Sequence, residues 1–293
     1  MQCLPRSSAA AQRLAQRLKL PLHTIDLHRF PDRELRVTVG EPASTTIVFA
    51  SLPDPNDKLI ALMFAAEALR RGGAWRLVLV CPYLCYMRQD SAFHEGEAVS
   101  QKVIGRLLAT SFDRVVTVSA HLHRTKDIGA VFPSIEAADV SAIPAIAGAL
   151  REAAIEATTV VVGPDEESRP WVSDLAQRLG LAHAVASKSR RGDRAVEIQF
   201  PDPAFLRDRP ALLIDDIVSS GGTLAACAAA LRAAGCGSID AVVVHALFSS
   251  DVEQKLRDAG IRTIRSTDSV PHPTNVVALD SALADALRGE LAA

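Results

Sequence analysis

Short apolar runs rich in β-branched residues alternate along the chain with longer stretches rich in alanine and leucine. The short runs predict buried strands and the longer stretches predict helices, a pattern typical of a parallel sheet flanked by helices. In the first half the predicted strands are 46–50, 77–81 and 114–118, and the predicted helices are 58–71 and 100–110. In the second half the predicted strands are 159–163, 211–214 and 241–246, and the predicted helices are 169–178 and 223–234.

The repetition of this pattern predicts two domains. The chain has 293 residues, and a domain takes about 150 residues on average. The alternation of predicted strands and helices is interrupted near 136–141, before a helix that we predict to begin around Ile143. We therefore expect an α/β domain at 1–140 and a second at 141–293, each a mainly parallel sheet flanked by helices.

Composition and charge exclude several classes of protein. Lys and Arg number 32 against 34 Asp and Glu, a net charge of −2, which argues against a broad basic surface for nucleic acid or anionic lipid. Five scattered cysteines do not resemble a disulfide framework or a zinc site. The chain shows neither a signal-peptide pattern nor a long charge-free apolar run. We expect a cytoplasmic protein with no nucleic-acid or membrane partner.

The segment 211–223 is the most informative one for chemistry. A predicted buried strand ends in Asp215 and Asp216, and small and hydroxyl residues then lead into a helix. Backbone N–H groups at a helix N-terminus bind anions, so this turn predicts a phosphate site. The two carboxylates would repel phosphate but accept hydrogen bonds from sugar hydroxyls or hold a cation. Together these features indicate a pentose phosphate.

The alternative is that this turn is purely structural, so that its glycines only turn the chain and a carboxylate only caps the helix. This interpretation fits the residues less well. The two common nucleotide-binding motifs, the G-x-x-x-x-G-K-[ST] loop and G-x-G-x-x-G after the first strand, are absent from the sequence. If the protein uses ATP, it binds ATP by other residues.

The turn resembles the ribose-5-phosphate loop of type I phosphoribosyltransferases and ribose-phosphate pyrophosphokinases. Four further segments favour the pyrophosphokinases. The segment at 96–102 resembles the corresponding segment in the archaeal-type branch of that family. These segments are Phe-Pro-Asp-Arg-Glu at 30–34, Pro-Tyr-Leu-Cys-Tyr-Met-Arg-Gln-Asp at 82–90, Gly-Glu-Ala-Val-Ser-Gln-Lys at 96–102 and Val-Gly-Pro-Asp at 162–165. The resemblance implies two tandem type I phosphoribosyltransferase-like domains, with ATP on the N-terminal side and ribose 5-phosphate on the C-terminal side.

The resemblance also implies the binding residues. ATP would be bound by Phe30, Asp32, Glu34, Arg88, Gln89 and Asp90. In the family, the segment around Phe30 reaches the adenine on a neighbouring subunit, which implies a homo-oligomer with a shared active site. Arg33 stands where the family usually has glycine. Ribose 5-phosphate would be bound by Asp215, Asp216, Ser219, Ser220, Gly221, Gly222 and Thr223.

The resemblance further implies Mg²⁺ as cofactor and a pair of catalytic cations. His121 and Asp165 match metal-binding positions, and Lys188 and Arg190 match the catalytic flexible loop. Ser119 stands where the family has an aspartate two residues before this histidine, and Asp90 is a candidate replacement for that carboxylate. Positioned cations stabilise the charge that develops during diphosphoryl transfer.

These features predict an enzyme that transfers the diphosphoryl group of Mg-ATP to the anomeric hydroxyl of ribose 5-phosphate, with a site between the two domains at the carboxyl ends of the strands. One alternative is a phosphoribosyltransferase acting on a nucleobase, which would not need the segments around Phe30 and Arg88. Another is a non-catalytic regulatory paralogue. Ser119 favours this paralogue, but the retention of Lys188 and Arg190 argues against it.

Overall fold

The computed structural model describes residues 1–191 and 195–291 of the chain, with only the backbone of 188–191 and 195–197. The chain divides into two compact units. Unit 1 comprises residues 1–141, 269–271 and those from Leu279 onward, and unit 2 comprises 142–268 and 272–278.

Unit 1 is built on a parallel sheet whose central strands are buried on both faces. Its strands are β1 (Gln2–Cys3), β2 (His23–Thr24), β3 (Asp26–Arg29), β4 (Leu35–Thr38), β5 (Thr45–Phe49), β6 (Arg76–Cys81), β7 (Arg114–Val118) and β8 (Glu136–Val140). The sheet has the order β2-β1-β5-β6-β7-β8, and β3 pairs with β4 as an antiparallel hairpin. Continuous apolar runs such as β6 suit a sheet that is covered on both sides.

The helices of unit 1 follow the alanine- and leucine-rich stretches. They are α1 (Ser8–Leu18), α2 (Pro55–Arg71), α3 (Ser100–Ala109) and α4 (Ile128–Val131). Helix α2 begins at Pro55, earlier than the predicted residue 58. Proline fits this first helical position because its missing N–H has no partner there and its φ is already helical.

Unit 2 repeats the architecture. Its strands are β9 (Val160–Gly163), β10 (Ala182–Val185), β11 (Ser187–Arg191), β12 (Ala195–Gln199), β13 (Ala211–Val218), β14 (Ile239–Ala246), β15 (Ile261–Thr267) and β16 (Asn275–Val277). The parallel sheet has the order β10-β9-β13-β14-β15-β16, and β11 pairs with β12 as an antiparallel hairpin.

The helices of unit 2 cover this sheet. They are α5 (Ile143–Glu152), α6 (Arg169–Leu179), α7 (Gly222–Ala233) and α8 (Ser250–Asp258). The core joins alternate residues of the central strands, such as Leu213 and Val243, to Leu224 and Leu231 on the inner face of α7. This packing fixes the beginning of α7 against the carboxyl end of β13.

The two sheets have the same topology. Renumbered within each sheet, both orders read 2-1-3-4-5-6, and in both units the antiparallel hairpin is inserted between the second and third strands. The chain order reverses between the first and third strands, and open α/β sheets bind ligands at the carboxyl ends of the strands at such a reversal. In unit 2 this position lies between β9 and β13.

The C-terminal segment returns to unit 1. Helix α9 (Asp280–Ala286) places Leu283 in the buried core, and Leu287 after it is also buried. Glu290 then receives hydrogen bonds from Arg76 on β6 and Arg114 on β7. We had expected these residues in the second domain, at 141–293.

The fold class expected from the sequence, two α/β units with parallel sheets and flanking helices, is confirmed. Among the described residues, no helix is long and apolar enough to cross a membrane.

Candidate active site

The end of β13 exposes polar groups next to a buried strand. Residues 211–214 are buried, Asp215 and Asp216 are half-buried, and Ser219 and Ser220 are exposed in the turn before α7. The strand extends to Val218, four residues beyond its predicted end, because Ile217 and Val218 still pair with β14. The two carboxylates therefore lie on the strand, held by its hydrogen bonds, rather than in a free loop.

The turn into α7 depends on a glycine with left-handed backbone. Gly221 has φ +72°, and a Cβ there would lie 2.8 Å from Cγ1 of Val252. Gly222, the first helical residue, has no such constraint, because the nearest atom to a Cβ at this position would be Oγ of Ser220 at 3.8 Å. Packing therefore requires glycine at 221, whereas glycine at 222 leaves space open above the helix N-terminus.

This turn is arranged to hold an anion. The first N–H groups of a helix have no acceptor within the helix, and the helix dipole favours negative charge at this end. Helix α7 has 12 residues, and the hydroxyl groups of Ser219, Ser220 and Thr223 flank its start. Small residues at 221 and 222 allow a phosphate group to approach these N–H groups closely.

Three carboxylates gather at the strand reversal beside this turn. Burial raises the pKa of Asp215 well above its usual range, and the charges of Asp216 and Asp165 raise it further. The backbone N–H of Asp216 donates to Oδ1 of Asp215 at 3.0 Å, and that of Ile217 donates to Oδ1 of Asp216 at 2.7 Å. Crowded carboxylates of this kind repel one another until a cation or hydroxyl donors approach them.

Asp165 is positioned by a turn after β9. Its side chain accepts from the N–H of Ser168 at 3.3 Å, and the Ser168 hydroxyl donates to its backbone carbonyl. A Cβ at Gly163 would lie only 1.9 Å from Oγ of Ser168, so glycine is required under this turn. Glu166 forms a bidentate ion pair with Arg169, at 2.6 Å between Oε2 and Nη2, on the exposed side of the turn.

In unit 1 the turn at 30–34 closes the hairpin of β3 and β4. The N–H of Phe30 donates to the carbonyl of Glu34 at 2.9 Å, and the N–H of Glu34 donates to Oδ1 of Asp32 at 3.2 Å. Arg33 has φ +75°, the backbone region that favours glycine. The turn therefore presents Phe30, Asp32 and Glu34 as exposed side chains at the end of a hydrogen-bonded hairpin.

The segment after β6 places its polar residues at the surface of unit 1. Arg88 is exposed, and the amide of Gln89 donates to Oε2 of Glu97 at 3.1 Å. Asp90, whose side chain is 1% exposed, accepts from the guanidinium of Arg124 at 3.1 Å and from its backbone N–H at 3.3 Å. Asp90 therefore holds the loop that follows β7.

His121 lies in that loop, half-buried. Ser119 has φ +41°, and its N–H donates to the carbonyl of Val140 on β8 at 2.9 Å. The carboxylate of Asp139 accepts from the N–H of Ala120 at 2.9 Å. The ring of His123 lies against that of His121, with 3.7 Å between their centroids.

The catalytic pair expected from the sequence lies on a hairpin. Lys188 pairs with Ile198 and Arg190 with Val196 across β11 and β12. The side chains of Lys188 and Arg190 lie outside the described residues, as do residues 192–194 between the strands.

The structure brings together the residues expected to bind ribose 5-phosphate and adds Asp165 to them. Of the remaining expected residues, those around Phe30, Arg88 and His121 lie in unit 1. Sequence reasoning missed the support given by Asp139 and Arg124, which come from distant parts of the chain. The contact of His123 with His121 was likewise not expected, although the spacing of two residues between them was a visible signal.

Comparisons with known proteins identify the family and the fold of the chain. A family model described as the N-terminal domain of ribose phosphate pyrophosphokinase matches residues 3–111, and one described as a phosphoribosyl transferase domain matches 136–281. The chain can be superposed on phosphoribosylpyrophosphate synthetase from Mycobacterium smegmatis with a TM-score of 0.85 at 24% identity, covering 100% of this chain and 98% of that one. This likeness confirms the expected type I phosphoribosyltransferase fold.

Similarity to curated proteins extends over nearly the whole chain. The ribose-phosphate pyrophosphokinase of Methanopyrus kandleri is 32% identical over 278 residues, 94% of this chain and 94% of that protein. Ribose-phosphate pyrophosphokinase 2 of Archaeoglobus fulgidus is 34% identical over 266 residues, 91% of this chain and 92% of that protein. With this degree of identity across both halves, the chain belongs to the ribose-phosphate pyrophosphokinase family.

Proposed function

We propose that the protein is a ribose-phosphate diphosphokinase, which transfers the diphosphoryl group of Mg-ATP to ribose 5-phosphate and releases phosphoribosyl pyrophosphate and AMP. The observation that carries the proposal is the site at the end of β13, where two carboxylates precede an anion-binding turn at a helix N-terminus. Family membership supports the same reaction.

In this proposal, the turn at 219–223 binds the 5-phosphate through backbone N–H groups and hydroxyls. Asp215 and Asp216 accept hydrogen bonds from the sugar hydroxyls, which orients the ring. The anomeric hydroxyl then attacks the β-phosphorus of ATP. Its oxygen forms a bond to phosphorus and its proton passes to solvent, while the bond from the β-phosphorus to the bridging oxygen breaks and AMP leaves with that oxygen. Positioning of this kind accounts for much of the rate enhancement in phosphoryl transfer.

ATP is assigned to unit 1 by the family motifs. Phe30, Asp32 and Glu34 are proposed to meet the adenine, and Arg88, Gln89 and Asp90 to meet the nucleotide. The exposed hairpin turn around Phe30 supports a role in binding a group from outside its own unit. We propose that it serves a neighbouring subunit, so that the active enzyme is a homo-oligomer.

The carboxylates of Asp165, Asp215 and Asp216 fit Mg²⁺, because they are closely spaced oxygen donors: burial, and then the charges of Asp216 and Asp165, raise the pKa of Asp215. When bound, Mg²⁺ neutralises charge on the phosphates and on the transferred group. His121 fits Mg²⁺ less well, since this ion prefers oxygen ligands to imidazole nitrogen. We propose Asp165 as a metal-binding residue and keep His121 as a candidate metal ligand.

Lys188 and Arg190 are proposed as the catalytic cations, on the strength of the family motif. They would stabilise the charge on the non-bridging oxygens and on the departing AMP. With the free cysteines found among the described residues, a reducing cytoplasmic setting is part of the proposal.

The test is a ³¹P NMR time course of the purified protein with Mg²⁺, ATP and ribose 5-phosphate. We expect AMP and a pyrophosphorylated sugar to appear in equal amounts. Lys188→Ala is the control, for which we expect turnover to fall by orders of magnitude while ATP binding is retained. Binding of either substrate without turnover would instead indicate a regulatory paralogue, and base-dependent release of pyrophosphate without AMP would indicate a phosphoribosyltransferase.

A further inference from the structure

One face of helix α2 exposes two large apolar side chains to solvent. Ile60 is 49% exposed and Phe64 is 47% exposed. They lie four residues apart, so they are neighbours on the same side of the helix. The other side of α2 packs into unit 1 through buried residues such as Leu62 and Leu69. A contiguous apolar pair of this kind is typical of an interaction surface, whereas exposed apolar residues that stand singly are not.

Charged side chains flank this apolar pair at both ends of the helix. Asp57 lies in the first turn of α2 and Arg71 in the last, and both side chains are exposed. Each is seven residues from Phe64, in opposite directions along the chain. Seven residues make about two turns of helix, so all three side chains share one face. Phe64 is therefore the midpoint between a negative and a positive charge.

This arrangement is complementary to itself. When two identical surfaces meet about a two-fold axis, each residue of one copy contacts the residue related to it by that axis. If the axis crosses α2 at Phe64, the two helices run antiparallel, and Asp57 of each copy faces Arg71 of the other. A parallel pair would instead place Asp57 against Asp57 and Arg71 against Arg71. The charges therefore favour the antiparallel pair.

Neighbouring charged groups extend this match. Arg29 on β3 donates to Asp57, and Arg71 donates to Glu67 at 3.1 Å. In the antiparallel pair the two ion pairs meet, and the four side chains form a row of alternating charge at each end of the contact. Because two arginines and two carboxylates cancel, the charge of this face does not select an acidic or basic partner or an anionic membrane. It fits a second copy of the chain.

The apolar centre of the face fits the same arrangement. Ile60 lies four residues before Phe64, and the small side chain of Ala68 lies four residues after it. The two-fold axis therefore sets Ile60 of each copy against Ala68 of the other, so that a large side chain meets a small one. Strand β4 packs against α2, which places the hairpin of β3 and β4 beside this surface.

We propose that this face of α2 is a two-fold self-association surface. A second copy of the chain packs its own α2 antiparallel across Ile60 and Phe64, and Asp57 of each copy pairs with Arg71 of the other. The inference rests on the proposed function only in naming the surface by which the proposed homo-oligomer forms. Because the hairpin lies beside α2, this pairing also brings the turn around Phe30 next to the neighbouring copy.

The first test is sedimentation equilibrium of the full-length protein over a range of protein concentrations in low salt. We expect a dimer, or an assembly built from dimers. Asp57→Arg and Arg71→Asp should each weaken association at least about tenfold, because each places like charges across the axis. The double variant should recover most of this loss. Effects within one chain add in the double variant, so the recovery reports the pair across the axis.

The matched control is Asp174→Arg in α6 of unit 2, which reverses one member of an exposed ion pair with Arg178. We expect its association to equal that of the wild type. A double variant of α2 that loses the sum of the two single losses would overturn the proposal. So would a wild-type protein that stays monomeric, which would leave this face to a partner other than a second copy.

A second measurement locates the axis with substitutions of exposed side chains, which leave the core of unit 1 intact. With diamide as oxidant, Phe64→Cys should form disulfide-linked dimers, because a residue on the axis faces its own copy. The matched control is Ile60→Cys, on the same face and equally exposed. Four residues rise about 6 Å on each side of the axis, so its two copies lie about 12 Å apart.

A disulfide spans at most about 7 Å between Cα atoms, so we expect Ile60→Cys to form few linked dimers. The wild-type protein, with its own free cysteines, gives the background of the oxidation. Equal linking of the two variants, or no linking of Phe64→Cys above this background, would overturn the proposed axis.

Both readouts measure association, so they separate this inference from the proposed reaction. Turnover in the ³¹P experiment without charge-dependent association through α2 would overturn the inference and leave the reaction standing. Association that follows the charge reversals, without turnover, would support the surface and refute the reaction.

Discussion

Two adjacent glycines in the proposed phosphate turn have different roles. Gly221 has φ +72°, and a Cβ there would lie 2.8 Å from Val252, whereas a Cβ at Gly222 would meet nothing closer than 3.8 Å. We expect Gly221→Ala to lower the free energy of unfolding by about 1–3 kcal/mol, from left-handed strain and overpacking. Gly222→Ala should leave stability unchanged or slightly higher, because alanine is the better helix former.

Ligand binding should show the opposite contrast. The methyl group of Gly222→Ala would project into the space above the N-terminus of α7, so we expect the KM for ribose 5-phosphate to rise by about an order of magnitude, or roughly 1.4 kcal/mol. Urea unfolding and steady-state kinetics on the two variants check both expectations. This division of roles would be contradicted if Gly222→Ala lost as much stability as Gly221→Ala, or if Gly222→Ala left the KM for ribose 5-phosphate unchanged.

The carboxylate of Asp215 carries a cost for folding that depends on pH. Burial and the charges of Asp216 and Asp165 raise its pKa well above the usual range, so the native state holds this proton more tightly than the unfolded state. Stability from this group is therefore present at acid pH and is lost as the pH rises through the folded pKa. Asp215→Asn keeps the Oδ1 acceptor used by the N–H of Asp216 but cannot ionise.

We expect Asp215→Asn to raise Tm above that of the wild type at pH 8, with the difference shrinking toward pH 4. A gain of about 1 kcal/mol corresponds to roughly 2–4 °C. Differential scanning fluorimetry in EDTA measures the effect, and the exposed Asp251→Asn in α8 is the control. A Tm difference that is constant with pH would show that charge repulsion is not its cause.

Individual site residues could be predicted from the sequence where they lie in one continuous segment. Asp215 and the turn at 219–223 form such a segment, and the chain itself places them together. The support of the histidine loop could not be predicted in this way. Asp139 and Asp90 come from other elements, and only the pairing of β7 with β8 and the folding of the loop after β6 bring them to Ala120 and Arg124.

Among elements, the long apolar strands and helices were predicted well and the short ones were missed. Residues 114–118 form β7 as predicted, because a continuous buried strand has a strong hydrophobic signal. The two-residue strands β1 and β2 have too few residues to show any periodicity, and they exist because neighbouring strands pair with them. Tertiary pairing also extends β13 past its charged residues.

The C-terminal segment is attached to unit 1 by a buried ion cluster. Arg76 donates to both oxygens of Glu290, at 2.7 and 3.0 Å, and Arg114 donates at 2.7 Å, while the Glu290 side chain is only 6% exposed. We expect Glu290→Gln to lower the free energy of unfolding by about 1–3 kcal/mol, because it leaves the two arginines with only the largely exposed Glu136 as a counter-charge. The control is Asp285→Asn, whose pair with Arg288 is exposed and contributes little.

The effect of Glu290→Gln should depend on pH in the opposite sense to that of Asp215→Asn. The hydrogen bond from Arg76 lowers the pKa of Glu290, and that from Arg114 lowers it further. This stabilisation is present above the usual glutamate pKa and is lost as the pH falls through the folded value. Urea unfolding at pH 7.5 and pH 3.5 should show the deficit of the variant shrinking in acid, and a deficit that grows in acid would refute the ion cluster as its source.

At the scale of the whole molecule, the two units share a topology but differ at the equivalent loop. In unit 2 the loop after the third strand of the sheet is open at Gly222. In unit 1 the corresponding loop after β5 is filled by its own contacts. The N–H of Ser51 donates to Oγ of Ser7 at 3.1 Å, its hydroxyl donates to the carbonyl of Ser269, and Lys58 donates to the carbonyl of Pro53. Among the described residues, the shared fold thus leaves this loop open in unit 2, where we propose the phosphate turn, and fills it in unit 1.

The return of the C-terminal segment to unit 1 makes the two units unequal as fragments. A fragment of residues 142–278 contains all of unit 2, whereas 1–141 lacks Leu283, Leu287 and Glu290, which are buried in the core and ion cluster of unit 1. Burial of each leucine contributes about 1.5–3 kcal/mol, so their loss is large against a typical stability of 5–15 kcal/mol.

We therefore expect 142–278 to unfold cooperatively in urea as an isolated fragment, and 1–141 to unfold at a much lower urea concentration or not to fold. Adding a peptide of residues 279–293 should raise the unfolding midpoint of 1–141 in proportion to the logarithm of peptide concentration, as expected for a ligand that binds only the native state. Far-UV circular dichroism follows both transitions. The same peptide carrying Glu290→Gln is the control and should bind more weakly. If neither peptide changes the unfolding midpoint of 1–141, the first 141 residues fold without the C-terminal segment.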